Sequence, residues 1–160
     1  MSTPPAPAPA ASPRKLVAGM MALSSALLFI VFLAEDFGGL MATLQAELPW
    51  GLVLRYLVAM AAGGALCGAL LSGLFGRQGL GGWLLAGLGG IVTATIAGML
   101  GSLLGLLPDL LADGWQTRDL VAVGAGALVL PLAATGWTPL LALWAAVVGG
   151  THIRVRRLRS

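Results

Sequence analysis

Charge is what this sequence has least of. Only 9% of its 160 residues are Asp, Glu, Lys or Arg, nine basic and six acidic, where a soluble domain carries roughly a quarter. So few charges cannot clothe a soluble domain of this size, which excludes that class. Cysteine is nearly absent as well. The single thiol, Cys67, lies inside an apolar run, so neither an intramolecular disulfide nor a Cys-x-x-Cys metal or redox motif can form. It reads as a small packing residue. His152 is the one histidine. Alone it cannot ligate a haem from both faces or build a zinc site, and it reads as a titrating side chain at the headgroup level. The sequence lacks G-x-x-x-x-G-K-[ST], G-x-S-x-G and H-E-x-x-H, and it has no paired carboxylates within an apolar run. Ser24, Ser25, Thr93, Thr95 and Ser102 have no base nearby in sequence that would make one a nucleophile. The expectation is a protein that is not an enzyme and has no cofactor and no metal.

What the chain does have is apolar length. Leu16–Leu33, Leu52–Phe75, Gly82–Leu107 and Leu120–Ile153 are each long enough for a bilayer crossing. The fold class expected is an all-α polytopic integral membrane protein of four transmembrane helices. Arg14 and Lys15 precede the first run as they would in a signal peptide. Yet the run is long for one, and Phe32 stands where cleavage near Ala34 would want a small residue, so a retained helix is favoured. Glu35 and Asp36 are expected to end this helix. The short turn Gly76-Arg77-Gln78-Gly79 makes helices two and three adjacent and antiparallel. Pro108 is expected to stop the third helix, and Asp119 to cap the fourth.

The fourth run is too long for one straight crossing. Its 34 residues would rise about 51 Å as a single helix, against a hydrocarbon core of about 30 Å. Gly136, Trp137 and Pro139 form a breaker cluster within it. One kinked helix, two short helices meeting at Gly136, and a re-entrant segment are the alternatives. The kinked helix is preferred, because two full crossings would carry the basic tail outside.

Charge placement sets the expected topology. Arg14, Lys15, Arg77, Arg154, Arg156, Arg157 and Arg159 fall on one side of this arrangement, while Arg118 and Arg55 fall on the other. The positive-inside rule then puts both termini in the cytoplasm, as in a bacterial inner membrane. Residues 1–13, rich in Pro and Ala, read as a disordered cytoplasmic tail. Residues 14–153 form a single transmembrane domain, and 154–160 a basic cytoplasmic tail. Arg14, Lys15, Arg154, Arg156, Arg157 and Arg159 read as topology and lipid anchors. The basic tail is short, lacks aromatics and abuts a membrane segment, so no nucleic-acid partner is expected. Membrane lipids and other membrane subunits, or further copies of the chain, are the expected partners.

Two features could carry function. The first is a row of small residues every fourth position in helix three: Gly82, Ala86, Gly90, Ala94, Gly98 and Ser102, with a second row at Gly89, Thr93, Ala97, Gly101 and Gly105. Helix two has its own row, Gly64, Gly68, Ser72 and Gly76. Such rows let backbones approach closely in lipid. Each four-residue step drifts about 40° around the axis, so one straight partner cannot follow the whole row. Helix three is therefore expected to be central, with helix two against its cytoplasmic half. The second feature is a polar cluster of Glu35, Asp36 and Arg55 at the outer surface, where interfacial anchoring competes with a functional role. The expected function is a non-catalytic membrane subunit or assembly factor acting by helix packing. The alternative is a small transporter or channel component that forms a homo-oligomer.

Overall fold

Serine and proline decide where the first helix begins. Ser12 Oγ accepts the backbone N–H of Lys15 at 3.3 Å, and Pro13 takes the first helical position, where its missing N–H has no partner to lose. In the computed structural model, which describes residues 12–44, 50–128 and 138–160 and no side chains at 32, 34–44 and 138, five α-helices follow in order. They are α1 (Pro13–Leu44), α2 (Trp50–Leu70), α3 (Gly79–Asp113), α4 (Thr117–Gly126) and α5 (Thr138–Arg159), with a 3-10 turn at Leu71–Leu74 extending α2. Among the described residues there is no strand. Three segments are long and apolar enough to cross a membrane: Pro13–Val31, Trp50–Leu74 and Gly79–Asp113. The described residues are thus nearly all helical, and three helices apolar enough to span a membrane mark the chain as a membrane protein. Most of the Pro/Ala-rich tail, Pro49, Gly136 and Trp137 lie outside the described residues.

Several expected boundaries move. Glu35 and Asp36 do not end α1, which runs on to Leu44. Carboxylates end an apolar stretch, but the i→i−4 backbone ladder does not depend on side-chain polarity, and no proline interrupts it here. Pro108 does not stop α3, which continues to Asp113. Proline leaves the Leu104 carbonyl without its donor. The next carbonyl, that of Gly105, accepts a hydrogen bond from the Arg55 guanidinium at 3.0 Å, the kind of neighbouring support that lets transmembrane helices carry proline. Gly114, at φ 73°, closes α3 by donating to Leu110 O at 3.1 Å. Asp119 is not the cap of the next helix. Gln116 is, and Asp119 Oδ2 reaches back to accept the Gln116 N–H at 2.9 Å, the return half of a capping box.

Among the described residues the fourth run is not one uninterrupted helix: α4 ends at Gly126 and α5 begins at Thr138. α4 stops at Gly126 and tightens into i→i+3 bonds, Ala127 to Gly124 O at 3.0 Å and Leu128 to Ala125 O at 2.9 Å. The break thus begins well before Gly136, and Pro139 sits in the first turn of α5. Contacts along α3 explain why a single helix cannot fit. Gly126 lies on Gly98, and Trp144 lies on Gly90. The eight residues from Gly90 to Gly98 rise about 12 Å, whereas the eighteen from Gly126 to Trp144 would rise about 27 Å in one helix. Those two spacings differ more than twofold, so Gly126 and Trp144 do not sit on one straight helix.

Contacts also order the bundle. α1 and α2 are antiparallel, with Gly68 on Val17 and Gly64 on Ser25. α2 and α3 are antiparallel, with Phe75 on Gly89 and Tyr56 on Gly105. α4 and α5 both run back along α3. The first residues of α1, the turn 76–79 and the end of α5 therefore meet at one end. There Arg159 donates to Ser72 O at 3.1 Å, and Arg154 NH1 lies 3.9 Å from Met20 Sδ. The main core cluster sits at this end: Val17, Met21, Phe75, Ala86, Val148 and Val155. A smaller one, Leu28, Ala94 and Leu140, lies further along.

Candidate functional site

α3 is the element every other helix touches, and its two small-residue rows face different neighbours. Along the first row, a methyl group on Gly82 would lie 2.6 Å from the carbonyl carbon of Arg77 in the preceding turn. Ala86 is buried among Phe75, Val148 and Val155. A methyl on Gly90 would lie 2.7 Å from Val148 Cγ2 and 3.0 Å from Trp144 Cζ2 of α5. Ala94 shares the cluster with Leu140. At Gly98 the neighbour changes to α4, whose Gly126 carbonyl stands directly against it, and Ser102 Oγ also borders Gly126. This row therefore serves α5 first and α4 afterwards, as the drift of a four-residue step requires.

The second row receives α2. Gly89 meets Leu74 and Phe75, Ala97 meets Gly63, Gly101 meets Met60, and Gly105 meets the Tyr56 ring. α2 thus follows α3 nearly to Pro108, rather than keeping to the half beside the turn. The row in α2 points elsewhere. A methyl on Gly64 would lie 2.6 Å from Met21 O, and one on Gly68 would lie 2.7 Å from Met21 Cβ, both in α1. Ser72 Oγ turns inward to Ala69 O at 2.9 Å. Gly76 has left the helix, at φ 77°, and lies against Val155 and Arg156 of α5. The small rows of α2 and α3 do not meet each other.

The structure does not describe the side chains of Glu35 and Asp36. Arg55 spans to α3 through Gly105 O, and its neighbour Tyr56 stacks with Phe29 at a centroid distance of 6.2 Å. Arg55 and Tyr56 therefore knit three helices together at the end away from the turn. Replacing Arg55 with alanine removes one charge-assisted hydrogen bond on a partly exposed group, and is expected to lower stability by about 1 kcal/mol. Thermal unfolding in mild detergent checks this, and a Lys replacement should recover only part of the loss, because lysine lacks the planar fork.

The basic residues divide by task. Arg14 and Lys15 are exposed at the start of α1. Arg77 Nε donates to Gly73 O at 3.0 Å and Arg159 to Ser72 O, so both guanidiniums serve carbonyls of the 3-10 turn that extends α2. The guanidinium groups of Arg156 and Arg157 have no hydrogen-bond or ion-pair partner among the described residues.

His152 is the residue that sequence reasoning placed least well. It is fully buried, and its Nδ1 accepts the backbone N–H of Gly76 at 3.2 Å. Accepting at Nδ1 requires a lone pair there, so the imidazole is neutral and carries its proton on Nε2. Nε2 is buried without a partner. Trp83 lies beside it, ring centroids 4.6 Å apart and tilted by 36°. A histidine 76 residues from its partner leaves no signal in sequence spacing.

Two hollows share Trp83 as a wall. One, of about 380 Å³, is lined by Gln78, Trp83, His152, Arg156, Arg157 and Ser160. The other, of about 220 Å³, lies between α3 and α5 and is lined by Trp83, Gly87, Trp144, Ala145, Val148 and Gly149. Compared with protein-family models, curated proteins and solved structures, the chain matches none.

Proposed function

We propose that this chain is a non-catalytic membrane subunit or assembly-stabilising factor, with both termini cytoplasmic and the fourth passage made jointly by α4 and α5. One observation carries the reading. The small faces of α3 are engaged within the chain, while large aliphatic side chains point out. Leu54, Val58, Leu66 and Leu70 on α2, and Leu80, Leu84 and Leu88 on α3, are all exposed in four-residue register. The small rows therefore hold the bundle together, and the outward rows offer an apolar surface to lipid and to neighbouring membrane subunits. Arginines gathered at one end favour the cytoplasmic side for that end, in the inner membrane of a bacterium.

Two experiments test this. After gentle extraction, native mass spectrometry is expected to show the chain with a stoichiometric membrane partner. A lone monomer overturns the subunit reading, and a homo-oligomer without another chain replaces it with a transporter or channel component. For topology, Asp113→Cys and Ser160→Cys are placed singly in a Cys67→Ala background. An impermeant maleimide added to intact cells is expected to label the first and spare the second. The reverse pattern inverts the orientation, and labelling of both removes the fourth passage.

A further inference from the structure

The two hollows beside Trp83 differ in chemistry in a way that matches a single molecule. The larger one lies at the basic end. Arg156 and Arg157 line it, their guanidinium groups without partners among the described residues, with Gln78 and Ser160 as further hydrogen-bonding groups. The buried N–H at Nε2 of His152, also without a partner, belongs to a residue in its wall. A donor left unpaired in a buried place costs about 1–3 kcal/mol, and an anionic oxygen reaching past Trp83 would supply its acceptor. Two guanidiniums, an imidazole N–H, an amide and a hydroxyl form a donor set for a phosphate, and arginine presents the planar fork that suits one.

The smaller hollow begins across the Trp83 ring and is almost wholly apolar. Its walls are indole, alanine, valine and glycine. It follows the outer seam of α3 and α5, and α3 is one of the three segments apolar enough to span the membrane. Gly87 has nothing within 4 Å of where a methyl would stand, and Gly149 leaves the Trp83 ring 3.5 Å away. The seam is therefore open rather than closed by side chains. A charged head site and, across the Trp83 ring, an apolar slot leading away from the basic end have the layout of a phospholipid, amphipathic tryptophan standing at the border where such rings prefer to sit.

We infer that this pair of hollows binds one anionic membrane phospholipid, its phosphate held by Arg156 and Arg157 beside His152 and one acyl chain lying along the seam between α3 and α5. The assignment does not depend on which protein partner the chain has. Occupancy ties the end of α5 to the start of α3 at the level where Gly76 already holds His152.

The test uses the full chain in nanodiscs that mix phosphatidylglycerol with phosphatidylcholine, followed by native mass spectrometry of the lipid retained. The wild type is expected to keep one phosphatidylglycerol in preference to phosphatidylcholine. Arg156→Gln with Arg157→Gln should lower retention at least tenfold, whereas Arg14→Gln with Lys15→Gln, which removes the same charge elsewhere, should not. Gly87→Leu, whose Cβ meets nothing within 4 Å, places a side chain in the seam and should lower retention several-fold at unchanged thermal stability. Ala145→Leu, on the opposite wall, gives the same reading if Gly87→Leu folds poorly. Equal loss in both charge pairs reduces the effect to general electrostatics and overturns the site. Displacement by millimolar inorganic phosphate as readily as by lipid leaves a simple anion site and overturns the lipid assignment, as does indifference to both seam variants.

Discussion

Gly98→Leu is expected to separate α4 from α3 and to be the most damaging single substitution in the bundle. The obstacle at Gly98 is the backbone carbonyl of Gly126, and Gly126 in turn faces the Gly98 carbonyl and Ser102 Oγ. A side chain there cannot be accommodated by a rotamer change, because both surfaces are main chain. The helices must move apart. Overpacking of this kind costs about 3 kcal/mol or more, and in lipid little hydrophobic force returns the helices to each other once their close contact is lost. Thermal unfolding in mild detergent should show the loss. Gly87→Leu on the same helix, where nothing lies within 4 Å of the new methyl, should be close to neutral. If the two variants behave alike, the contact between α3 and α4 does not hold the bundle.

The second large effect is expected at Gly76, and it combines two causes that a neighbour allows to be separated. Gly76 and Gly79 both adopt the left-handed region, at φ 77° and 75°, which costs a residue with a side chain about 1–2 kcal/mol. At Gly79 that is the whole penalty, since a methyl there meets nothing within 4 Å. At Gly76 a methyl would also press on Val155 Cγ1 at 2.6 Å and on Arg156 N at 3.0 Å, and it would push the chain away from His152. Gly79→Ala should therefore lose about 1 kcal/mol, and Gly76→Ala about 3 kcal/mol, with backbone strain and overpacking adding. Hydrogen exchange along α5 distinguishes them further. Only the Gly76 variant should loosen the stretch around His152, whose Nδ1 depends on the Gly76 N–H.

How much of this was legible in the residues follows from the physics of each signal. The membrane class needed only run lengths and scarce charge, and the three spanning segments overlap the first three apolar runs. The centrality of α3 followed from helical pitch, because a four-spaced row must change neighbours as it turns. What sequence could not supply was which faces pair. The rows in α2 and α3 look alike, yet Gly64 and Gly68 turn toward α1, while Met60, Gly63 and Tyr56, which form no small-residue row, meet α3. Helix ends were misjudged where polarity was taken for a stop signal. Glu35, Asp36 and Pro108 all lie inside helices, because polarity changes a helix's surroundings and a single proline removes only one donor. The division of the last apolar run was hidden for another reason. Gly136 and Pro139 are the obvious breakers, but α4 ends at Gly126, where close contact with Gly98 fixes its height on α3. That is a tertiary constraint with no local mark.

The inside-small, outside-large arrangement of α3 has a thermodynamic consequence. Glycine and alanine have no side-chain rotamers to lose on burial, whereas leucine and isoleucine lose about 0.5–1 kcal/mol each. The faces of α3 that meet α2, α4 and α5 are built mostly from the former, and Leu80, Leu84, Leu88 and Ile91 remain on its exposed surface. Bringing the helices together therefore freezes very little conformational freedom. The flexible residues keep theirs among the lipid tails, so even modest dispersion forces across the glycine faces are enough to decide for the assembled bundle.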